Sequence, residues 1–140
     1  MYPSQKVEVN NNMINNIEID EITINIRPEI YGHIKRYLAT QDYYHAVEEA
    51  YKIVRQKLKD LTGEEKASQA FCETNIVKIF GHDPSDEAEK DFFEGVKFIN
   101  MAIQRFRNEK AHTPAKPLDK NLAIHYISLA SLAYELISRK

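Results

Sequence analysis

At Arg27 the apolar spacing of this chain changes period, and it does not change back. Upstream, Ile17, Ile19, Ile22, Ile24 and Ile26 alternate with Glu18, Asp20, Thr23 and Asn25, the period of two that a strand presents. Downstream the apolar residues recur at threes and fours, the period of amphipathic helices. No later segment offers a partner strand, and a lone two-stranded ribbon is marginal in water. The upstream segment is therefore expected to form a short β ribbon, bulged or turned at Asp20-Glu21, that packs on the helices or pairs with a second chain. The fold class that follows is all-α, an up-and-down helical bundle of four to five helices with a short N-terminal β ribbon. The polar run at residues 10–16 (NNNMINN) reads as a boundary. The expected organisation is thus a linker and Ile-rich strand or hairpin over 1–26 and a helical bundle over 27–140.

Helix limits are marked by their punctuation. Pro28 suits a first helical position, and the first helix is expected to reach about Ala39. Asp42 is expected to cap a second helix that runs to Thr62 and stops at Gly63, with Tyr43, Val47, Ala50, Val54, Leu58 and Leu61 as its apolar stripe. Signals weaken over 64–80, where a short helix is expected around 66–73, and Gly81-His-Asp-Pro breaks the chain. Pro84, with Asp86 and Glu87 after it, starts a long helix to about Arg107 whose stripe is Phe92, Val96, Ile99, Ala102, Ile103 and Phe106. Gly95 would let another backbone come close. After a loop over 113–117, Asp119 is expected to cap a last helix carrying Leu122, Tyr126, Leu129, Ala133 and Leu136 or Ile137.

Composition closes off several function classes. The 140 residues are enough for one domain with a core, and 43% hydrophobic with 29% charged residues is the balance of a globular chain. Nineteen basic against twenty-one acidic side chains give a net charge of −2, which excludes a strongly cationic nucleic-acid coat. The single cysteine, Cys72, allows neither an internal disulfide nor a cysteine-based zinc site, and it reads as a small buried hydrophobe. The longest uncharged stretch, 121–134, is short of the roughly 20 apolar residues of a bilayer span. With no apolar leader among the first residues either, a cytoplasmic protein without membrane contact is expected.

The chemistry-bearing segment is Arg107-Asn108-Glu109-Lys110-Ala111-His112, at the end of the long helix. Arg107 falls one turn beyond Ile103 and so beside the core stripe, and His112 follows at the junction with the loop. A permanently charged fork holds phosphoryl oxygens, and an imidazole moves protons near neutral pH. In RNA the 2′-hydroxyl is an internal nucleophile, so this pair suffices for phosphodiester cleavage with no metal and no cofactor. One histidine does not easily serve both the attacking and the leaving oxygen. Two copies of His112 across a homodimer do. The spacing alone is weak, since Arg27 to His33 and Arg105 to His112 also satisfy it. Placement favours Arg107, because Arg105 projects about 200° around the helix from it and only Arg107 is followed by an amide, Asn108. The bland alternative is that Arg107 and His112 merely tie a helix end to a loop.

Four stretches surrounding that hexapeptide carry a family likeness: Arg27-Pro-Glu-Ile, Tyr43-Tyr-His-Ala-Val-Glu-Glu-Ala-Tyr-Lys, Phe92-Phe-Glu-Gly, and Ala102 through the Arg-Asn-x-x-x-His signature. Together they resemble the Ymh-type branch of the HEPN superfamily, over Arg27 to about Ser138. The resemblance implies an all-helical bundle that dimerises with its motifs face to face. It also implies metal-independent endoribonuclease activity of the toxin or anti-phage type, or, where activity has been lost, a nucleotide, RNA or protein binding module. Carried over, Arg107 and His112 are the two fixed signature positions and Asn108 the polar second position, giving catalytic roles to Arg107, His112 and Asn108. The chain departs from the pattern at Lys110, where relatives often have proline, and at Arg27, where histidine is frequent.

Charge placement points the same way. From 97 to 120, Lys97, Arg105, Arg107, Lys110, Lys116 and Lys120 stand against Glu109 and Asp119, a local +4. Arg105, Lys110 and Lys116 are therefore the expected RNA-binding residues, against the alternative of an ordinary solvated face. The expected partners are a second copy of the chain, an RNA substrate and an antitoxin or immunity protein. Asp42 and His45 have a spacing that chelates, but Asp42 is better explained as a cap and no second such pair exists, so no metal is expected. Tyr43, Tyr44, Tyr51, Tyr126 and Tyr134 fall on or near the helix stripes and read as core and dimer contacts.

Overall fold

The order of elements follows the punctuation in the chain. The computed structural model describes residues 23–111, 114 and 116–139. It contains α1 (Pro28–Ala39), α2 (Tyr43–Thr62), α3 (Ala67–Ala70), a 3-10 turn (Glu73–Asn75), α4 (Ile76–Phe80), α5 (Glu87–Ala111) and α6 (Lys120–Leu136). No strand occurs among the described residues. Of the expected ribbon, residues 23–26 are irregular chain leading into α1, and the earlier part lies outside the described residues.

The caps explain the limits of α1, α2 and α6. Pro28 opens α1. The Asp42 carboxylate accepts from the His45 amide at 3.2 Å, and Gly63 closes α2 in the left-handed region (φ 81°). Asp119 accepts from the Leu122 amide at 2.9 Å. Gly81, also left-handed (φ 87°), closes α4, a helix in the stretch that carried only weak signals. Helix α5 begins at Glu87, three residues after Pro84, because Asp86 accepts from the Glu89 amide at 2.8 Å and Glu89 reaches back to the Ser85 amide at 2.7 Å. It runs on past Arg107 to Ala111.

Helix α2 is the central element, packed on α1, α5 and α6. Around its first half, Ile30 and Ile34 of α1, Val47, Tyr51 and Val54 of α2, Ile103 of α5 and Ile127 of α6 form one buried cluster. Around its end, Leu58, Phe71, Ile79, Phe80, Phe93, Val96 and Ile137 form a second. Ala46 and Ala50 of α2 and Ala123, Ala130 and Ala133 of α6 belong to the first cluster, and such small side chains allow the two helices to approach closely.

Two stripes are rotated from their expected phase. On α5 the buried positions are Phe93, Val96, Asn100, Ile103 and Lys110, while Phe92 and Phe106 are 44% and 37% exposed. The reason is specific to the neighbours: Phe93 stacks on Phe80 with ring centroids 3.8 Å apart, and the Asn100 amide is satisfied by the Val96 carbonyl at 2.9 Å. On α6 Ala133 and Ile137 are buried as expected, but Leu122 is exposed and Ala123, Ile127, Ala130 and Tyr134 complete the inward face. At Gly95 no other backbone comes close among the described residues: it is exposed, and a Cβ placed there would meet nothing within 4 Å. Cys72 is exposed, not buried, because it lies in the turn after α3 with its Sγ 3.2 Å from Thr74 Oγ1. Tyr44, Tyr51 and Tyr134 are buried, and Tyr43 and Tyr126 pack partly buried against the core.

Two testable consequences arise from this packing. The Tyr51 hydroxyl is buried with no hydrogen-bond partner among the described residues, and burial, with Tyr126 second, pushes its pKa far above the usual phenol range. An unsatisfied buried hydroxyl costs about 1–3 kcal/mol, so Tyr51→Phe is expected to stabilise the protein by about 1 kcal/mol in urea unfolding. A loss of stability on that substitution would mean that the hydroxyl has found a partner.

The second concerns the start of α5, where His82 Nε2 lies 2.9 Å from Glu89 Oε2. The hydrogen bond to Glu89 raises the His82 pKa, and the same bond lowers that of Glu89. A raised histidine stabilises fully below its unfolded value of about 6.5 and loses that contribution as pH rises through the folded value. A lowered glutamate contributes fully above about 4.3 and loses its share as pH falls through the folded value. The pair therefore stabilises most between those two pH values. The melting temperature of His82→Gln is expected to lie furthest below wild type near pH 5.5, about midway between the two values, and to converge with it in mildly alkaline buffer. A gap that does not change with pH would exclude this linkage.

Candidate functional site

The inward positions of α5 are spaced 93, 96, 100, 103, 107 and 110, so the apolar stripe ends on two cations, Arg107 and Lys110. Arg107, half-buried, lines a hollow of about 330 Å³ between α2 and α5 together with Glu49, Lys52, Ile53, Arg55, Gln56, Lys59 and Glu65. The α2 contribution has the same origin. Arg55 lies one turn beyond the fully buried Tyr51, just as Arg107 lies one turn beyond the fully buried Ile103.

The hollow holds four cationic and two acidic side chains. The two acids are engaged by the lysines: Lys52 reaches Glu49 at 3.6 Å and Lys59 reaches Glu65 at 3.2 Å. Among the described residues neither arginine forms an ion pair with a carboxylate, although the Glu65 charge acts on Arg55. Arg55 donates through Nη2 to the Glu65 carbonyl at 2.7 Å, and its buried Nε has no partner among the described residues. Burial first, and the Arg107 charge second, lower the Arg55 pKa, although a guanidinium keeps its proton in a protein. Two like charges thus share a partly desolvated site.

Lys110, expected among the RNA-binding residues, is buried. It is 8% exposed, with its ammonium 5.4 Å from the Tyr44 ring centroid and 5.2 Å from that of Tyr126, and 3.8 Å from Glu109 Oε1. The Tyr44 hydroxyl donates to the Lys110 carbonyl, which pins the last turn of α5 to the first turn of α2. Asn108 is half-buried beside it. Arg105 is exposed on the opposite side of the helix, and Lys116 is exposed at a second hollow with Asp42, Tyr44 and Leu118. His112 lies outside the described residues. The structure thus brings Arg107 together with Arg55, and sets Arg105, Lys110 and Lys116 apart from that pair.

Arg27, the competing arginine of the loose Arg-to-His spacing, has a structural occupation. Its amide donates to Ser131 Oγ at 2.9 Å, its guanidinium pairs with Glu29 at 3.0 Å, and it lies over the Tyr134 ring at 5.5 Å. It ties the entrance of α1 to α6. The Asp42 carboxylate, besides capping α2, holds His45 Nδ1 at 2.8 Å. No group of three or more histidine, cysteine or acidic side chains suited to a metal ion occurs among the described residues.

A family model described as "Protein of unknown function (Hypoth_ymh)" matches residues 25–137, which spans every helix and the hollow. The chain belongs to the Hypoth_ymh family. No curated protein and no solved structure is significantly similar to it. The Hypoth_ymh match begins at the irregular chain before α1 and ends just past α6, so it coincides with the helical bundle. Among the described residues of this Hypoth_ymh bundle no helix is long and apolar enough to cross a membrane.

Arg55 is the site residue that motif reading missed. It lies fifty-two positions before Arg107 and belongs to no signature. A signal for it does exist in the helical phase of α2: positions 44, 47, 51, 54 and 58 are buried, and an arginine at 55 borders that face instead of opposing it.

Proposed function

We propose that this Hypoth_ymh protein is a HEPN-type, metal-independent endoribonuclease of toxin or anti-phage defence, acting on single-stranded RNA as a homodimer. In this scheme Arg107 stabilises the phosphorane, His112 transfers protons to and from the ribose oxygens, and Asn108 orients the imidazole. The 2′-hydroxyl attacks the adjacent phosphorus, the 5′-oxygen leaves with a proton, and the products are a 2′,3′-cyclic phosphate and a 5′-hydroxyl end. The observation that carries the reading is the position of Arg107: a guanidinium with no carboxylate partner among the described residues, on the inward phase of α5, in a hollow already cationic.

Two further features support it. The hydrogen bond from Tyr44 to the Lys110 carbonyl anchors the end of α5, the helix that carries Arg107 and Asn108. The exposed side chains of Phe92, Phe98 and Phe106 on α5, and of Leu132 on α6, supply apolar surface for a second copy. An antitoxin or immunity protein is the expected third partner, since an unregulated ribonuclease is harmful to the cell that makes it.

The test is incubation of the purified protein with single-stranded RNA in excess EDTA. Cleavage leaving 2′,3′-cyclic phosphate ends is expected, together with a dimeric mass in solution. RNA binding without any cleavage would replace this reading with that of a binding module.

A further inference from the structure

The charges of the α2–α5 hollow leave one question open: what the two arginines face. Lys52 and Lys59 are matched by Glu49 and Glu65, and Gln56 spends its amide on Asp60 at 2.8 Å. Among the described residues Arg55 and Arg107 are left with one backbone carbonyl between them, the Glu65 carbonyl that accepts from Arg55, and with no ion pair. Like charges side by side repel, and an anion in the hollow they both line would offset that repulsion.

We propose that Arg55 and Arg107 together form a cradle for a phosphodiester of the RNA backbone, with Arg55 a substrate-binding residue outside the Arg-Asn-x-x-x-His signature. The identity of the ligand rests on the ribonuclease reading above; the cradle itself rests on the geometry. The shape of the anion follows from the donors. A carboxylate offers two coplanar oxygens, which one guanidinium fork already occupies, whereas a tetrahedral phosphate has oxygens for two forks converging from different helices. The Glu65 carbonyl at 2.7 Å holds the Arg55 fork from one side and so orients it before the ligand arrives. The length of chain bound follows from the rim. Lys52, Gln56 and Lys59 are exposed at its edge, and the lysine pairs there are solvent-exposed and weak, so both ammonium groups are free to exchange a carboxylate for a neighbouring phosphate. A hollow of about 330 Å³ with cations at floor and rim suits a strand better than an isolated ion.

The probe is a short single-stranded 2′-O-methyl oligoribonucleotide, which lacks the internal nucleophile and so reports binding alone. Fluorescence anisotropy is expected to show binding by wild type, a loss of about tenfold or more for Arg55→Gln, and a change of less than about twofold for Lys35→Gln, an exposed lysine on α1. The salt dependence of Arg55→Gln should also be shallower by about one phosphate contact. Equal affinity of wild type and Arg55→Gln overturns the proposal. Because a variant can fail by misfolding, the same question is put to the unmodified protein with phenylglyoxal, which derivatises accessible guanidinium groups. The oligonucleotide is expected to protect Arg55 and Arg107, but not the exposed Arg36 on α1, and modification of Arg55 at an unchanged rate overturns the cradle. Inorganic phosphate and polyglutamate serve as comparison ligands. Protection by either at least as effective as that by the oligonucleotide overturns the assignment to RNA. Binding that depends on Arg55 without cleavage of ordinary RNA sinks the ribonuclease reading and leaves the cradle standing; cleavage that is indifferent to Arg55 does the reverse.

Discussion

His112→Ala is expected to lower the rate of RNA cleavage by about 10²–10⁴-fold, the range that a positioned acid or base contributes, with no change in far-ultraviolet circular dichroism. In the proposed scheme the two signature residues divide the labour. Arg107 is permanently charged, so it stabilises negative charge at every pH but moves no protons. Within the scheme only an imidazole supplies both a base and an acid near neutrality. Arg107→Gln should also reduce cleavage, by about 10²–10³-fold as for loss of one electrostatic stabiliser, and it removes a like charge from beside Arg55. Its melting temperature should therefore be no lower than that of wild type. The two variants differ in pH dependence: cleavage remaining in Arg107→Gln keeps the pH profile of wild type, whereas that of His112→Ala loses the ionisation near neutrality. Undiminished cleavage by His112→Ala would remove the imidazole from the mechanism.

How far such a site is legible in sequence depends on which interaction fixes each residue. The ends of α1, α2 and α6 were readable because proline, aspartate and glycine act through the backbone beside them. Helix phase was less readable. Hydrophobicity ranks Phe92 equal to Phe93 and Leu122 above Ala123, yet Phe80 selects Phe93 by stacking, and the close contact of α6 with α2 selects alanine. Asn100 and Lys110 are buried because a carbonyl and two tyrosine rings satisfy them, and those partners come from the fold. The same distinction holds at the site. The place of Arg107 follows from Ile103 one turn earlier on the same helix, whereas its meeting with Arg55 depends on the packing of α2 against α5. Charge counting along the chain grouped Arg105, Lys110 and Lys116 with Arg107, but Arg105 is separated from it by helical angle, Lys110 by burial against Tyr44 and Tyr126, and Lys116 by lying in the loop after α5.

Ile103→Ala is the substitution expected to cost most in stability, about 2–5 kcal/mol, against a total of about 5–15 kcal/mol for a domain. Ile103 is fully buried where α5 meets Tyr51 and Val54 of α2 and Ile127 of α6, so removing its outer carbons leaves a cavity bounded by three helices. The surrounding side chains can collapse into it only by moving α5. That couples the core to the site, because Arg107 is the next residue on the same face and its distance from Arg55 is set by where α5 rests. Ile103→Val, at about 0.5–1.5 kcal/mol, should leave the protein folded and is the variant in which to look for altered RNA affinity. Leu122→Ala on the exposed side of α6 should cost less than about 0.5 kcal/mol. Urea unfolding midpoints, with the slope unchanged, measure all three. If Ile103→Ala proved no more costly than Leu122→Ala, the phase assigned to α5 would be wrong, and with it the direction in which Arg107 points.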